Sequence, residues 1–161
     1  MAKRQPVVAI LMGSEKDGPV MAEAGRILDE FGVAHETRVI SAHRTPEQCR
    51  SFARGAAKRG VKVIIAGAGK AAHLAGVVAS QTTLPVIGVP LDAGMGGLDA
   101  LLATVQMPRG VPVATMAVGG SGAANAALFA VAVLALTDTR LAAGLARYRV
   151  GLAKPQPKER R

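Results

Sequence analysis

An open, parallel β-sheet sandwiched between two layers of helix is the architecture this sequence predicts. Five short apolar runs rich in β-branched residues recur along the chain, and each is followed by a glycine-rich or polar loop and a helix-compatible stretch. The first runs are apolar throughout rather than alternating, as strands covered on both faces are. At 161 residues, half of them apolar, the chain has the length of one domain and can bury a core without disulfides or metals.

Residues 7–12 (VVAILM) form the first strand, which Gly13 ends. Ser14-x-x-Asp17 opens a helix with Pro19 in its first turn; it runs to Phe31, and Gly32 closes it. A second strand covers about residues 34–40. The next helix has the clearest start in the chain: Thr45 is the cap, Pro46 the first helical residue, and Gln48 completes a Thr-x-x-Gln capping box. Cys49, Phe52, Ala53, Ala56 and Ala57 follow as one apolar stripe, which makes Cys49 a core residue rather than a nucleophile. The pattern then repeats: strand 61–66, a glycine loop, helix 71–80, strand 86–89, a loop, helix 98–105, strand 111–118, a glycine loop and helix 123–136. A last helical segment covers about residues 140–152. Five such units with right-handed crossovers predict a three-layer α/β/α sandwich, flavodoxin-like, with strand order 2-1-3-4-5 and an extra C-terminal helix. Residues 1–153 read as one domain and residues 154–161 (KPQPKERR) as a disordered basic tail. The helix at 123–136 (AANAALFAVAVLAL) is apolar on every side and must be covered all round, so a subunit interface, and hence an oligomer, is expected.

The net charge of +9 suggests a nucleic-acid protein until its location is considered. Seven basic residues and one acid lie between positions 140 and 161, and Lys3 and Arg4 lie near the start, so the body of the chain is nearly neutral. Phe31, Phe52, Phe129 and Tyr148 are the only aromatics, too few for base-stacking platforms, and nucleic acid is not expected as a partner. The longest apolar run, residues 126–136, is well short of the ~20 residues that cross a bilayer, and the N-terminus lacks a cleavage site. The expectation is a soluble, cytoplasmic protein without membrane contact. One Cys and three scattered His exclude a disulfide scaffold and zinc-finger spacing.

In open parallel α/β sheets, ligands bind beyond the carboxyl ends of the strands, and the chemically capable residues of this chain fall there. After the first strand comes Gly13-Ser14-Glu15-Lys16-Asp17, after the second Ser41-Ala42-His43-Arg44-Thr45-Pro46, after the third Gly67-Ala68-Gly69-Lys70-Ala71-Ala72-His73, and after the fourth Pro90-Leu91-Asp92. Ser14 and Ser41 offer hydroxyls for an anion, Arg44 a planar fork for phosphate, and Asp17 an acceptor for a ribose diol. Gly67 and Gly69 would let a flat ligand approach bare backbone. His43 offers an imidazole, the side-chain type suited to proton transfer. Taken singly, Ser14 and Thr45 are equally readable as helix caps, Arg44 as a solvated charge and His73 as a packed histidine; their convergence on one edge favours a site. His35, within a strand, is structural. The competing Gly67-x-Gly69-x-x-Ala72 with Asp92 imitates a dinucleotide fingerprint, but it would leave Ser14, Asp17 and the His43-Arg44 pair unexplained.

The stretches SAHRTP (41–46), GAGKAAHLAG (67–76), PVIGVP (85–90), GLDALLATVQMPRGVPVAT (97–115) and NAAL (125–128) resemble the N5-carboxyaminoimidazole ribonucleotide mutase family of purine biosynthesis, and the similarity spans residues 6–150. The resemblance implies a flavodoxin-like subunit in an octamer that moves a carboxylate from the exocyclic nitrogen of an imidazole ribonucleotide to ring carbon 4. It implies no metal, cofactor or ATP, and a substrate received from an ATP-dependent synthetase. It makes Ser14, Asp17 and Arg44 substrate-binding residues and His43 the acid/base, with Gly13, Ser41, the backbone of Ala68, Gly69 and Ala71, and His73 with Leu74 lining the rest of the pocket. Two departures place Lys70 where the family usually has glycine, and Lys16 where it usually has serine. A third, Ala75, replaces a proline. A related branch that uses free carbon dioxide departs from the Ala-Ala-His-Leu and Val-Gln-Met-Pro stretches that are kept here.

Overall fold

The first apolar run becomes strand β1 (Val8–Met12), every residue of which is buried. In a computed structural model, which describes residues 5–153, β1 lies centrally in a parallel sheet with β2 (His35–Val39), β3 (Val63–Gly69), β4 (Val86–Leu91) and β5 (Ala114–Thr115). The order is β2-β1-β3-β4-β5, as the sequence predicts. Successive side chains of β1 and β3 point to opposite faces, which divides the core in two. Val8, Ile10, Met12, Val63 and Ile65 face helices α1 (Gly18–Glu30) and α5 (Gly120–Ala135). Ala9, Leu11, Ile64 and Ala66 face α2 (Pro46–Ala56) and α3 (Leu74–Ala79). Each fully buried Ile, Leu or Val contributes about 1.5–3 kcal/mol, so these two faces hold the sheet between its helices.

Most elements form where expected, with local reasons. Gly32, at φ +64, ends α1 as anticipated, and the Val33 N–H returns to the Leu28 carbonyl at 2.9 Å. Helix α4 (Leu98–Val105) follows its predicted bounds, and α6 (Thr139–Leu152) is the extra C-terminal helix, capped by the Asp138 carboxylate, which accepts from Arg140 N–H at 2.9 Å. The basic tail expected at 154–161 lies outside the described residues.

Four expectations are corrected. Thr45 does precede α2, but it forms no capping box: its hydroxyl donates to the Ser41 carbonyl at 2.9 Å and accepts the Ser41 N–H at 3.1 Å, closing the loop instead. Ala57 is exposed, because α2 ends at Ala56 and the next turn tightens into a 3-10 helix over Ala57–Arg59. The third strand continues through Gly69, since residues 67–69 pair with Val89, Pro90 and Leu91 of β4; α3 therefore begins only at Leu74, with His73 at its cap position. The fifth strand shrinks to Ala114–Thr115, because it has a neighbour on one side only and Pro112 supplies no N–H. Within one subunit α5 is fully buried at Ala123, Ala126, Ala127 and Ala130, whereas Phe129 stays 44% exposed. Its alanines admit α1 closely on one side, and α6 covers part of another.

Candidate active site

At the carboxyl ends of β1 and β3 the chain reverses direction across the sheet, β2 lying on one side of β1 and β4 on the far side of β3. Such a switch point leaves a crevice between the diverging loops. Here the crevice is a cleft of about 500 Å³. Gly13 marks its floor, where its N–H reaches the Gly67 carbonyl at 3.3 Å and extends the β1–β3 ladder by one residue.

The loop after β1 is held by a capping box across a single 3-10 turn, Glu15–Asp17, that leads into α1. The Ser14 hydroxyl accepts from Lys16 N–H at 3.3 Å, and the Asp17 carboxylate accepts from Ser14 N–H at 3.0 Å. Partial burial pushes the Asp17 carboxyl above the ordinary aspartate range, against the opposing pull of the Ser14 and Gly13 N–H groups and the Arg44 guanidinium. The expected helix start and the expected ligand acceptor are therefore the same residue, with one carboxylate oxygen committed to the backbone.

The loop after β2 crosses to meet it. Arg44 donates from Nη2 to the Gly13 carbonyl at 2.8 Å, and its backbone N–H reaches the Ser41 hydroxyl at 3.1 Å. Arg44 thus fastens two loops together while its guanidinium stays exposed at the cleft. His43, next to it, meets His73 from the loop after β3: His43 Nε2 and His73 Nδ1 are 2.9 Å apart, and the rings stand edge to face. One of these nitrogens carries the shared proton and the other accepts it, so each ring fixes the tautomer of its neighbour. His73 is exposed and sits before the helix, not packed inside it.

Most of the residues that the sequence places in the site come to this cleft. Gly13, Ser14, Asp17, Ser41, His43 and Arg44 line it together with Ala68, Gly69, Ala71 and Leu74, and His73 joins through His43. Gly67 does not: it is buried, and a Cβ there would overlap the Met21 sulfur and stand 2.9 Å from its terminal methyl carbon. It is a packing glycine, paired with Val89, which also removes the turn that a dinucleotide fingerprint requires. Ala42 and Ala93 line the cleft and carried no sequence signal, being small and apolar. Three cations, Lys16, Arg44 and Lys70, face one carboxylate, Asp17, so the cleft favours an anion. Among the described residues no group of three His, Cys, Asp or Glu is arranged to hold a metal ion.

The fold and this edge define a class: an α/β/α protein with a cation-lined cleft at its switch point beside a histidine pair. The chain matches the AIR carboxylase family over residues 7–154, nearly its whole length, and it belongs to that family. It is 55% identical to the N5-carboxyaminoimidazole ribonucleotide mutase of Mycobacterium tuberculosis, over 94% of this chain and 87% of that one. It is 54% identical to the mutase of Pyrococcus horikoshii, over 92% and 83% of the two chains. The crystal structure of Treponema denticola PurE superposes with a TM-score of 0.83 at 29% identity, covering 92% of each chain.

Proposed function

We propose that this protein acts as an N5-carboxyaminoimidazole ribonucleotide mutase of purine biosynthesis, an isomerase that yields 4-carboxy-5-aminoimidazole ribonucleotide. The observation that carries the reading is the placement of His43, bonded to His73 in a cation-lined cleft, within a chain 55% identical to an enzyme of that name.

The chemistry follows from the wall residues. Arg44, with the Ser14 and Ser41 hydroxyls, binds the substrate phosphate, and Asp17 accepts from the ribose hydroxyls. The backbone of Gly13, Ala68, Gly69 and Ala71 lets the flat imidazole approach, above Leu74. Protonated His43 gives its proton to the carbamate nitrogen; the nitrogen–carbon bond breaks and carbon dioxide is released beside an aminoimidazole. That ring is an enamine, and its carbon 4 attacks the trapped carbon dioxide. Neutral His43 then takes the proton from carbon 4, which restores aromaticity and returns the histidine to its starting state. The step succeeds only if the closed pocket retains carbon dioxide and excludes water. No metal, cofactor or ATP enters.

The same reading makes the protein a cytoplasmic homo-octamer that takes its substrate from the ATP-dependent N5-carboxyaminoimidazole ribonucleotide synthetase, with no nucleic acid or membrane as partner. An apolar stripe supports assembly: Met95, Leu98, Leu102 and Val105 are all exposed, at helical spacing along α4 and the turn before it. The family's own description favours one second reading, carboxylation of aminoimidazole ribonucleotide by free carbon dioxide. Substrate labelled with carbon-13 in the carbamate, in unlabelled bicarbonate, separates them. The mutase keeps the label in the carbon 4 carboxylate; the carboxylase washes it out; a non-catalytic binding module forms no product. His43→Asn is expected to keep ligand binding and lose turnover by roughly a hundredfold or more, and normal turnover by that variant would sink the assignment.

A further inference from the structure

Lys70 is one of only two non-glycine residues with a left-handed backbone among the described residues, at φ +55. Glycine adopts that conformation freely and lysine does not, so what the chain gains from lysine over glycine there is the side chain itself. That side chain lines the cleft and, among the described residues, enters no ion pair. Its place within the cleft is distinctive. A shallower groove continues outward past Gly13, Ser14, Lys16, Ser41 and Arg44, and Lys70 takes no part in it. Arg44 and Lys16 therefore stand where the cleft opens into that groove, and Lys70, like His43, Ala71, Leu74 and Ala93, lines the cleft away from it. Lys70 is also tied to the histidine pair: the Ala72 N–H returns to the Lys70 carbonyl at 2.8 Å, and His73, next along, bonds His43.

We infer that Lys70 binds the carboxylate that is moved in the reaction, an inference that rests on the mutase reading above. The substrate carries two anionic groups at its two ends, a phosphate and a carboxylate. With the phosphate at Arg44, the imidazole carboxylate reaches His43, where Lys70 is the cation that lines the cleft. An ammonium there favours the carboxylated forms at both ends of the reaction and makes no claim on the phosphate or ribose.

The test compares binding of two ligands that differ only in that carboxylate: 4-carboxy-5-aminoimidazole ribonucleotide and uncarboxylated 5-aminoimidazole ribonucleotide. Titration calorimetry is run on the full chain as wild type, Lys70→Gln and Lys70→Gly. The glutamine variant keeps the strained backbone without the charge; the glycine variant removes both and is expected to raise the thermal midpoint. Both are expected to bind the carboxylated ligand roughly tenfold more weakly while binding of the uncarboxylated one stays within about twofold. Equal weakening for both ligands would place the ammonium at the phosphate and overturn the inference. No weakening for either would make Lys70 a solvated cation and overturn it as well. Wild-type protein that binds neither ligand would overturn the mutase reading itself, a result distinct from the other two.

Discussion

His43 and His73 lie thirty residues apart in the chain, on loops that follow different strands, yet they share one hydrogen bond of 2.9 Å at the mouth of the cleft. Neighbouring Arg44 fixes the loop that carries His43 by donating to the Gly13 carbonyl, so the cleft is held together by residues that line it. Asp17 shows the cost of this arrangement. Its carboxyl titrates above the ordinary range because it is partly buried, so between the unfolded and folded values the folded state holds more protons. Its ionised form therefore subtracts from stability above the folded pKa, and that loss is relieved as pH falls through it. Asp17→Asn keeps an oxygen to accept from the Ser14 N–H while removing the charge. It is expected to raise the thermal midpoint at pH 7, with the difference narrowing in acid, and to weaken ribonucleotide binding; melting curves across pH with calorimetry at pH 7 check both. Lys70 carries a comparable cost in its backbone, of about 1–2 kcal/mol for a left-handed non-glycine residue.

At the scale of elements, α5 is the most constrained. Its first turn lies against the loop that follows β5, and a Cβ on Gly122 would collide with the Ala117 carbonyl, 2.7 Å from its carbon. That loop has no freedom to retreat, because Met116 and Gly119 N–H groups bond the Gly88 and Pro90 carbonyls of β4, each at 2.9 Å. Gly122→Ala is therefore expected to destabilise the protein by about 3 kcal/mol, the upper end of overpacking costs, measurable by urea unfolding. The centre and the edge of the sheet behave differently. β1, β3 and β4 are buried on both faces and read plainly as apolar runs, whereas β2 is an edge with Thr37, Arg38 and Val39 exposed.

At the scale of the molecule, the exposed face of α4 offers Leu98, Leu102 and Val105 to a second subunit, in keeping with the octamer proposed above. Leu102→Lys would place a charge in the middle of that stripe. It is expected to reduce the assembly to smaller species in light scattering coupled to size-exclusion chromatography, with secondary structure unchanged by circular dichroism. An unchanged mass would remove α4 from the interface.

Sequence alone determined the class of fold, the strand order and the loops that line the cleft, because buried parallel strands and helix-opening loops leave local marks: β-branched runs, Ser14 with Asp17, and Pro46. It also isolated the tails as the seat of the net charge. Tertiary structure decided what local pattern could not express. Gly67 looks like a loop glycine until Met21 of α1 is seen to fill the space beside it. Thr45 looks like a cap until its hydroxyl is found closing the Ser41 loop. The contact of His43 with His73, the charge carried by Lys70 in the cleft, and the length of β5 all depend on which strand lies beside which. Those pairings are set by packing between residues far apart in the chain, so no window of sequence contains them.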